Sequence, residues 1–391
     1  MPAPQPIVPA SPIASRFAGL RPRQAMLVLG LLLALILAGL IRDQPRVGPT
    51  TSPVKISGSA RPTDLAGDDI LLYRVIVDQL REGRPYYPAA TRLLRENDYP
   101  LRPFVAVRLP TLATALAAIP DWLGTALLAL LGAGTIFAWT LRLAASGVGE
   151  AVVRTGSLLL LAGCLTIAAP KLTVFHESWA ALLVALSLAL HRPGRWGASV
   201  ALALAAVLIR ELALPYLLLM GAAALTRRTW IEAGAWAGAV LLFAATLACH
   251  AVAVWAVVLP DDPASPGWLA AGGWQFVIAA LRAASILGYL PAPLAALLVP
   301  LALIGWLSRR DASCTLAGLF IAGFMLIMTV LGRPGNFYWA AMIVPILLAG
   351  LAFAPGALRD LVGAVLGAHR EGPTVRQEAM ASMPRSCHNK P

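Results

Sequence analysis

The stretch AMLVLGLLLALILAGLI, residues 25–41, carries no charge and comes close to the roughly 20 apolar residues that a helix needs to cross a bilayer. Arg16, Arg21 and Arg23 precede it, as in a signal peptide, but no small-residue cleavage site follows, so it reads as a retained signal-anchor. Downstream the character changes: residues 42–102 hold ten Lys/Arg and eight Asp/Glu. Within them stand GDDILLY (67–73) and REGRPYYP (81–88). Almost everything after that is apolar again.

Composition agrees. The chain of 391 residues is 59% hydrophobic and 13% charged, which describes a polytopic membrane protein. That length allows about ten spans and one large loop, without a second soluble domain. A net charge of +12 would point to nucleic acid in a soluble protein. In a membrane protein it points to cytoplasmic anchoring and to anionic lipid heads, and no nucleic-acid partner is expected. The four cysteines show no metal-binding spacing.

Apolar runs lie at 25–41, 122–141, 152–169, 176–190, 196–209, 212–225, 233–258, 286–307, 314–331 and 338–354. Several are short, so they read as tilted, broken or sheltered. The run 104–119 contains Arg108 and Pro110 and reads as interfacial or re-entrant. With 104–119 not crossing, the arginines at 16–23, 142/154, 192/195, 227/228, 309/310 and in the tail share one face. The positive-inside rule makes that face cytoplasmic, with both termini. The organisation expected is a cytoplasmic segment 1–24, a first span 25–41, an outer-face loop 42–121, a bundle 122–354 and a disordered cytoplasmic tail 355–391. Composition and compactness fit a bacterial inner membrane. Trp122, Trp196, Trp230, Trp306 and Trp339 sit at span ends, where indole rings anchor at the headgroups.

Residues 69–82 show helical spacing of Leu72, Tyr73, Ile76 and Leu80, and Gly83 with Pro85 predicts the stop. Asp68 and Asp69 then stand at a helix start. Capping explains them, and so does a role as general base or metal ligand; the two readings are compatible. Arg84, Arg92, Arg95, Arg102 and Arg108, interleaved with Tyr86, Tyr87 and Tyr99, read either as a solvated loop or as a cradle for phosphate. Three more polar sites fall on the same face. In KLTVFHESW (171–179), His176 and Glu177 open a span, with a salt bridge to Lys171 as the structural explanation. In LIRELALP (208–215), Arg210 and Glu211 interrupt two half-length runs. Neighbours do not share a helix face, so each needs a partner elsewhere if the helix is continuous. In GRPGNFYW (332–339), Arg333 reads as a turn residue. His250 reads as a hydrogen-bonded packing residue. No nucleotide-binding or zinc motif is present, so no nucleotide cofactor is expected.

These residues resemble the GT-C superfamily of integral-membrane glycosyltransferases, which use polyprenyl-phosphate sugars as protein O-mannosyltransferases and aminoarabinose transferases do. In that family a first span leads to an outer loop with an acidic motif shortly before a Tyr, then a short helix, a Gly and an aromatic. Asp68-Asp69 through Tyr73, then Gly83 to Tyr86, resembles that pattern. Arg102-Pro103 through Arg108-Leu109-Pro110 is similar to the juxtamembrane stretch before the second span, and Glu177 stands where a second acidic residue starts a later span. The resemblance implies an all-α GT-C-like fold with about ten transmembrane helices and a large outer-face first loop. It implies inverting transfer of a sugar from a polyprenyl-phosphate donor to an acceptor hydroxyl. Asp69 would be the base, Asp68 the alternative, and Glu177 would orient the acceptor or, with Asp69, hold a divalent metal if one is used. Tyr73, Arg84, Tyr86, Arg102, Arg108, His176, Arg210, Glu211 and Arg333 would contact substrate. After 354 only a polar tail continues, in place of the outer-face domain many members carry, so the acceptor stays open among glycan, lipid and protein. Two rival readings remain: a transporter or lipid flippase built on the break at Arg210-Glu211, and a non-catalytic assembly subunit.

Overall fold

Among the described residues, five helices are long and apolar enough to cross a membrane: α1 (Pro22–Gly39), α5 (Asp121–Ala145), α6 (Glu150–Ile167), α10 (Trp230–Trp255) and α13 (Ala312–Leu331). The computed structural model describes residues 15–41, 67–267 and 270–367, with Gly67 and Asp68 described as backbone only. Among these residues every regular element is helical. Between the long helices stand α2 (Gly67–Arg81), α3 (Tyr86–Glu96), α4 (Thr111–Ala117), α7 (His176–Leu190), α8 (Gly197–Ile209), α9 (Leu214–Thr226), α11 (Gly273–Ala284) and α12 (Ala292–Ser308). A broken stretch containing α14 (Val344–Leu347) follows α13, and α15 (Ala354–Leu366) closes the described chain.

Burial separates outer from central helices. α1 buries only Ala25, Leu32 and Gly39 and leaves Leu27, Leu31, Leu33 and Leu37 exposed, as a lipid-facing helix does. α7 is the reverse, with twelve of its fifteen residues buried. Ala, Ser and His supply much of it, and such small residues allow the close approach on which membrane helices depend for packing. Its shortness follows from that position, since a helix sheltered by protein need not match the bilayer thickness.

Four expectations change. The run 338–354 is not a plain span: 3₁₀ segments at Pro334–Met342 and Leu348–Ala352 flank α14, and the stretch bends by 53°. Pro345 lacks a donor, which breaks the helix ladder. Just beyond it, the carbonyls of Ile346 and Leu347 accept from Trp306 Nε1 at 2.9 and 3.2 Å. Trp306 is therefore a fully buried structural donor and not an interfacial anchor, and Trp339 is buried too, whereas Trp122 and Trp230 are exposed. The segment between the apolar runs 233–258 and 286–307 contains α11, whose residues Phe276 to Leu281 are all buried against the bundle, and the following helix starts at Ala292 instead of 286. Its indole donor Trp274 Nε1 bonds Leu35 O in α1 at 2.8 Å. The expected tail begins with α15, whose Ala357, Leu361 and Ala364 pack with Ala25 and Leu32 of α1; residues beyond 367 lie outside the described ones.

The backbones approach most closely where this broken stretch meets its neighbours. A Cβ at Gly305 would be driven into the carbonyl oxygen of Gly350, and one at Gly163 would stand 2.6 Å from Val344 O. Gly305→Ala is therefore expected to destabilise by about 1–3 kcal/mol or more, measured as a fall in melting temperature in detergent. Gly323→Ala, where a Cβ meets nothing within 4 Å, is the control and should not lower it. Equal melting temperatures would refute the close approach.

Polar contacts sort the connections into two groups. At one end, Arg16 donates to Arg309 O at 2.6 Å, Arg142 donates to His191 O and to Ser313 Oγ, His191 pairs with Glu232 at 2.8 Å, and Arg227 pairs with Glu232 at 3.0 Å. At the other end lie α2, α3, α4 and the starts of α7 and α9. This is the partition that the arginine positions imply.

Candidate functional site

The second end holds a satellite core under the polar loop. Leu72, Ile76 and Val77 of α2 pack with Ala90, Leu93 and Leu94 of α3 and Leu112 and Leu116 of α4. The periodicity of 69–82 is realised in α2, and Gly83 terminates it with φ +84°, a left-handed conformation suited to glycine. α3 was not legible as a helix, yet its apolar face is clear: Ala89, Ala90, Leu93 and Leu94 are buried while Arg92 points outward and bonds Gln79. α4 has seven residues, too short to cross, as expected for 104–119.

With its buried face seated, α2 presents Asp69 and Tyr73, one turn apart, toward the bundle. Asp69 Oδ1 accepts from Tyr99 OH at 2.5 Å. Tyr73 OH accepts from Arg108 Nε at 3.1 Å, and its ring meets His176 edge-on, centroids 4.9 Å apart. Burial pushes the Tyr73 phenol up to about 12, so it stays protonated and can donate its own hydrogen onward. Asp68 lies outside the residues whose side chains are described.

Behind Tyr73 lies a buried ionic cluster drawn from four distant segments. Glu177 Oε1, at the start of α7, accepts from Arg210 Nε at 2.5 Å and faces Arg108 Nη2 at 3.7 Å. Arg210 also pairs with Glu211. That neighbour pairing departs from the expectation for a continuous helix, because the helix is not continuous. α8 ends at Ile209, Arg210 is extended (φ −147°, ψ 115°), and α9 restarts around Pro215. Lys171, the expected partner of Glu177, is exposed and does not pair with it. Tyr338 completes the cluster: Arg108 Nη2 donates to its hydroxyl at 3.4 Å, and the guanidinium carbons of Arg108 and Arg210 lie 5.7 and 5.9 Å from its ring centre.

Tyr338 and Tyr99 were missed as site residues. Tyr338 sits in the Gly- and Pro-rich stretch where Arg333 drew the attention; a phenol at a span mouth was the available signal. Conversely, the arginine cradle does not assemble. Arg84 is exposed and pairs with Glu82, Arg95 binds Asp262, and Arg102 donates to Asp262 O. Arg333 donates to Ser265 and Pro266 O. Among the described loop arginines only Arg108 enters the cluster, and Tyr86 serves it by donating to Arg108 O at 2.8 Å. His250 is the packing residue expected, bonded to Tyr87 OH and Val107 O.

Several buried polar atoms here have no partner among the described residues: both ring nitrogens of His176, Glu177 Oε2, Ser178 Oγ and Asn336 Nδ2. Buried polar atoms are normally satisfied, so these suit a polar ligand. Arg108 is the cation least committed to a carboxylate, because its approach to Glu177 exceeds hydrogen-bond length. A divalent metal does not fit, since Glu177 already faces two guanidinium groups, which would repel it. Among the described residues no three His, Cys, Asp or Glu side chains form a metal-holding group.

The connection between α10 and α11 is strapped to α3 by Asp262, which accepts from Arg95 Nε and Nη2 at 2.5 and 2.7 Å and from Leu259 N at 2.7 Å. The Arg95 guanidinium holds this carboxyl below its ordinary value. A carboxyl depressed on folding contributes stability that is present above its unfolded pKa of about 4 and is lost as pH falls through the lowered value. Proteolysis of the 256–267 loop is therefore expected to accelerate only under strongly acidic conditions in wild type, and at every pH in Asp262→Asn. A wild-type rate independent of acid would exclude the strap.

The chain matches no known protein family, no characterised protein and no solved structure.

Proposed function

We propose that this protein is a membrane glycosyltransferase moving a sugar from a polyprenyl-phosphate donor to an acceptor hydroxyl, with inversion. The observation that carries this reading is the juxtaposition on α2. A carboxylate (Asp69) and a phenol (Tyr73) stand one turn apart, and the phenol touches a partly buried arginine (Arg108) within a cluster that still has unpartnered polar atoms. The acceptor oxygen attacks the anomeric carbon while its proton passes to Asp69. The bond from that carbon to the donor phosphate oxygen breaks, and the phosphate leaves with its electron pair. A phosphate leaving group needs charge stabilisation more than a proton, and Arg108 supplies it. Glu177 does not act on the acceptor in this scheme; with Arg210 it holds the cluster together. The end bearing Asp69 faces the periplasm, both termini are cytoplasmic, and the helices and broken segments make about ten crossings.

The test is sugar transfer from a polyprenyl-phosphate donor in membranes carrying the protein. Transfer by wild type and its loss in Asp69→Asn supports the reading. A second reading, transport of a lipid or polar solute, is favoured by the extended backbone at Arg210 between α8 and α9 beside the same cluster. It predicts no transfer with any donor, and a flux more sensitive to Arg210 and Glu211 than to Asp69.

A further inference from the structure

At the end opposite Asp69, a cleft of about 150 Å³ opens where the start of α6, the α12–α13 turn and the start of α15 meet. Val148, Val152, Phe353 and Ala357 form apolar walls, and Arg309 lines it beside them. The Arg309 side chain is 10% exposed, and its guanidinium carbon lies 5.4 Å from the Phe353 ring centre. Its contacts are weak. Nη2 reaches Ser146 O only at 3.5 Å, and Nε, which faces Asp311 Oδ2 at 4.0 Å, makes no hydrogen bond among the described residues. A buried guanidinium with a spare N–H is costly unless something accepts from it.

The helix α6 also begins at this cleft. Its N-cap Gly149 is extended, lines the cleft and gives no side-chain cap, whereas α15 continues from the preceding 3₁₀ segment through the helical Phe353. First-turn N–H groups of α6 lack partners inside their own helix, and the positive end of that helix dipole lies beside Arg309. The glycines keep the space open: a Cβ at Gly149 or Gly356 would meet nothing within 4 Å. The carboxylate at the rim is already engaged, with Asp360 accepting from Ser15 N at 3.1 Å and pairing with the exposed Arg359 at 3.5 Å.

We propose that this cleft binds a phosphate group, carried by the headgroup of an anionic phospholipid. A buried arginine and the start of α6 select the phosphate. The apolar walls suit the glycerol and first acyl carbons, and they argue for a lipid over a fully hydrated ion. The site is independent of sugar transfer and lies at the other end of the bundle.

The test uses the purified full chain in detergent with phosphatidylglycerol, phosphatidylcholine or inorganic phosphate added, read by native mass spectrometry and melting temperature. Phosphatidylglycerol is expected to stay bound and raise the melting temperature, with phosphatidylcholine and inorganic phosphate far weaker. Arg309→Gln should weaken retention roughly tenfold or more. Gly356→Leu should abolish it by filling the cleft while leaving Arg309 and the lipid-free melting temperature unchanged, which separates binding from folding. Undiminished phosphatidylglycerol binding by Gly356→Leu would overturn the proposal. So would equal binding of phosphatidylcholine, or stabilisation by inorganic phosphate as strong as by lipid.

Discussion

Asp69→Asn is expected to lower sugar transfer by about 10²–10⁴-fold while the protein folds and accumulates as wild type does. Asparagine matches aspartate in shape, and its carbonyl oxygen can still accept from Tyr99, so α2 keeps its seat on α3 and α4. What is lost is the capacity to take a proton from the attacking hydroxyl. Tyr99→Phe separates positioning from chemistry: it leaves the carboxylate but removes its short hydrogen bond, so a smaller loss is expected than for Asp69→Asn. The measurement is initial transfer rate at matched abundance. Full activity in Asp69→Asn would remove this carboxylate as the base and direct attention to Asp68.

The second large effect is on stability. Arg210→Met should destabilise by about 3–5 kcal/mol, because it leaves the Glu177 carboxylate buried without its short partner. The double replacement Glu177→Gln with Arg210→Met should recover much of that loss, since an apolar or neutral pair of similar size no longer carries an uncompensated charge. Lys171→Met, at an exposed position six residues before Glu177, should have little effect. Melting temperatures of the four proteins in one detergent decide the matter. If Arg210→Met melts with Lys171→Met, the ion pair is not the organiser of this cluster.

These two predictions draw on different amounts of information. Asp69 was legible because a charged residue one turn before Tyr73, on an amphipathic helix that Gly83 ends, is a local pattern. Glu177 and Arg210 were legible as expensive charges at span mouths, but their pairing was not. That pairing depends on the helix break at Arg210, which turns adjacent side chains toward one another and brings α8's end to α7's start. Tyr338 was hidden for a related reason: it becomes a site residue only because the broken stretch after α13 folds back onto α7. Arg84, Arg95, Arg102 and Arg333 show the opposite error. Their charge looked functional in the sequence, and the fold spends it on loop contacts.

Hydropathy and charge order by themselves determined that this is a helical membrane protein, which segments are apolar, and which connections share an end of the bundle. They suffice because water and lipid act on each segment separately, whatever its neighbours. Tertiary structure alone decided that α7 is central and α1 peripheral, that Trp306 is a buried donor, that 338–354 is broken around Pro345, and that Arg108, Glu177, Arg210 and Tyr338 meet. Lipid tails are as apolar as leucine, so hydrophobicity cannot tell a lipid-facing surface from a packed one. Small-residue contacts such as Gly305 against Gly350, and the pairing of buried charges, make that choice, and they act between residues far apart in the chain.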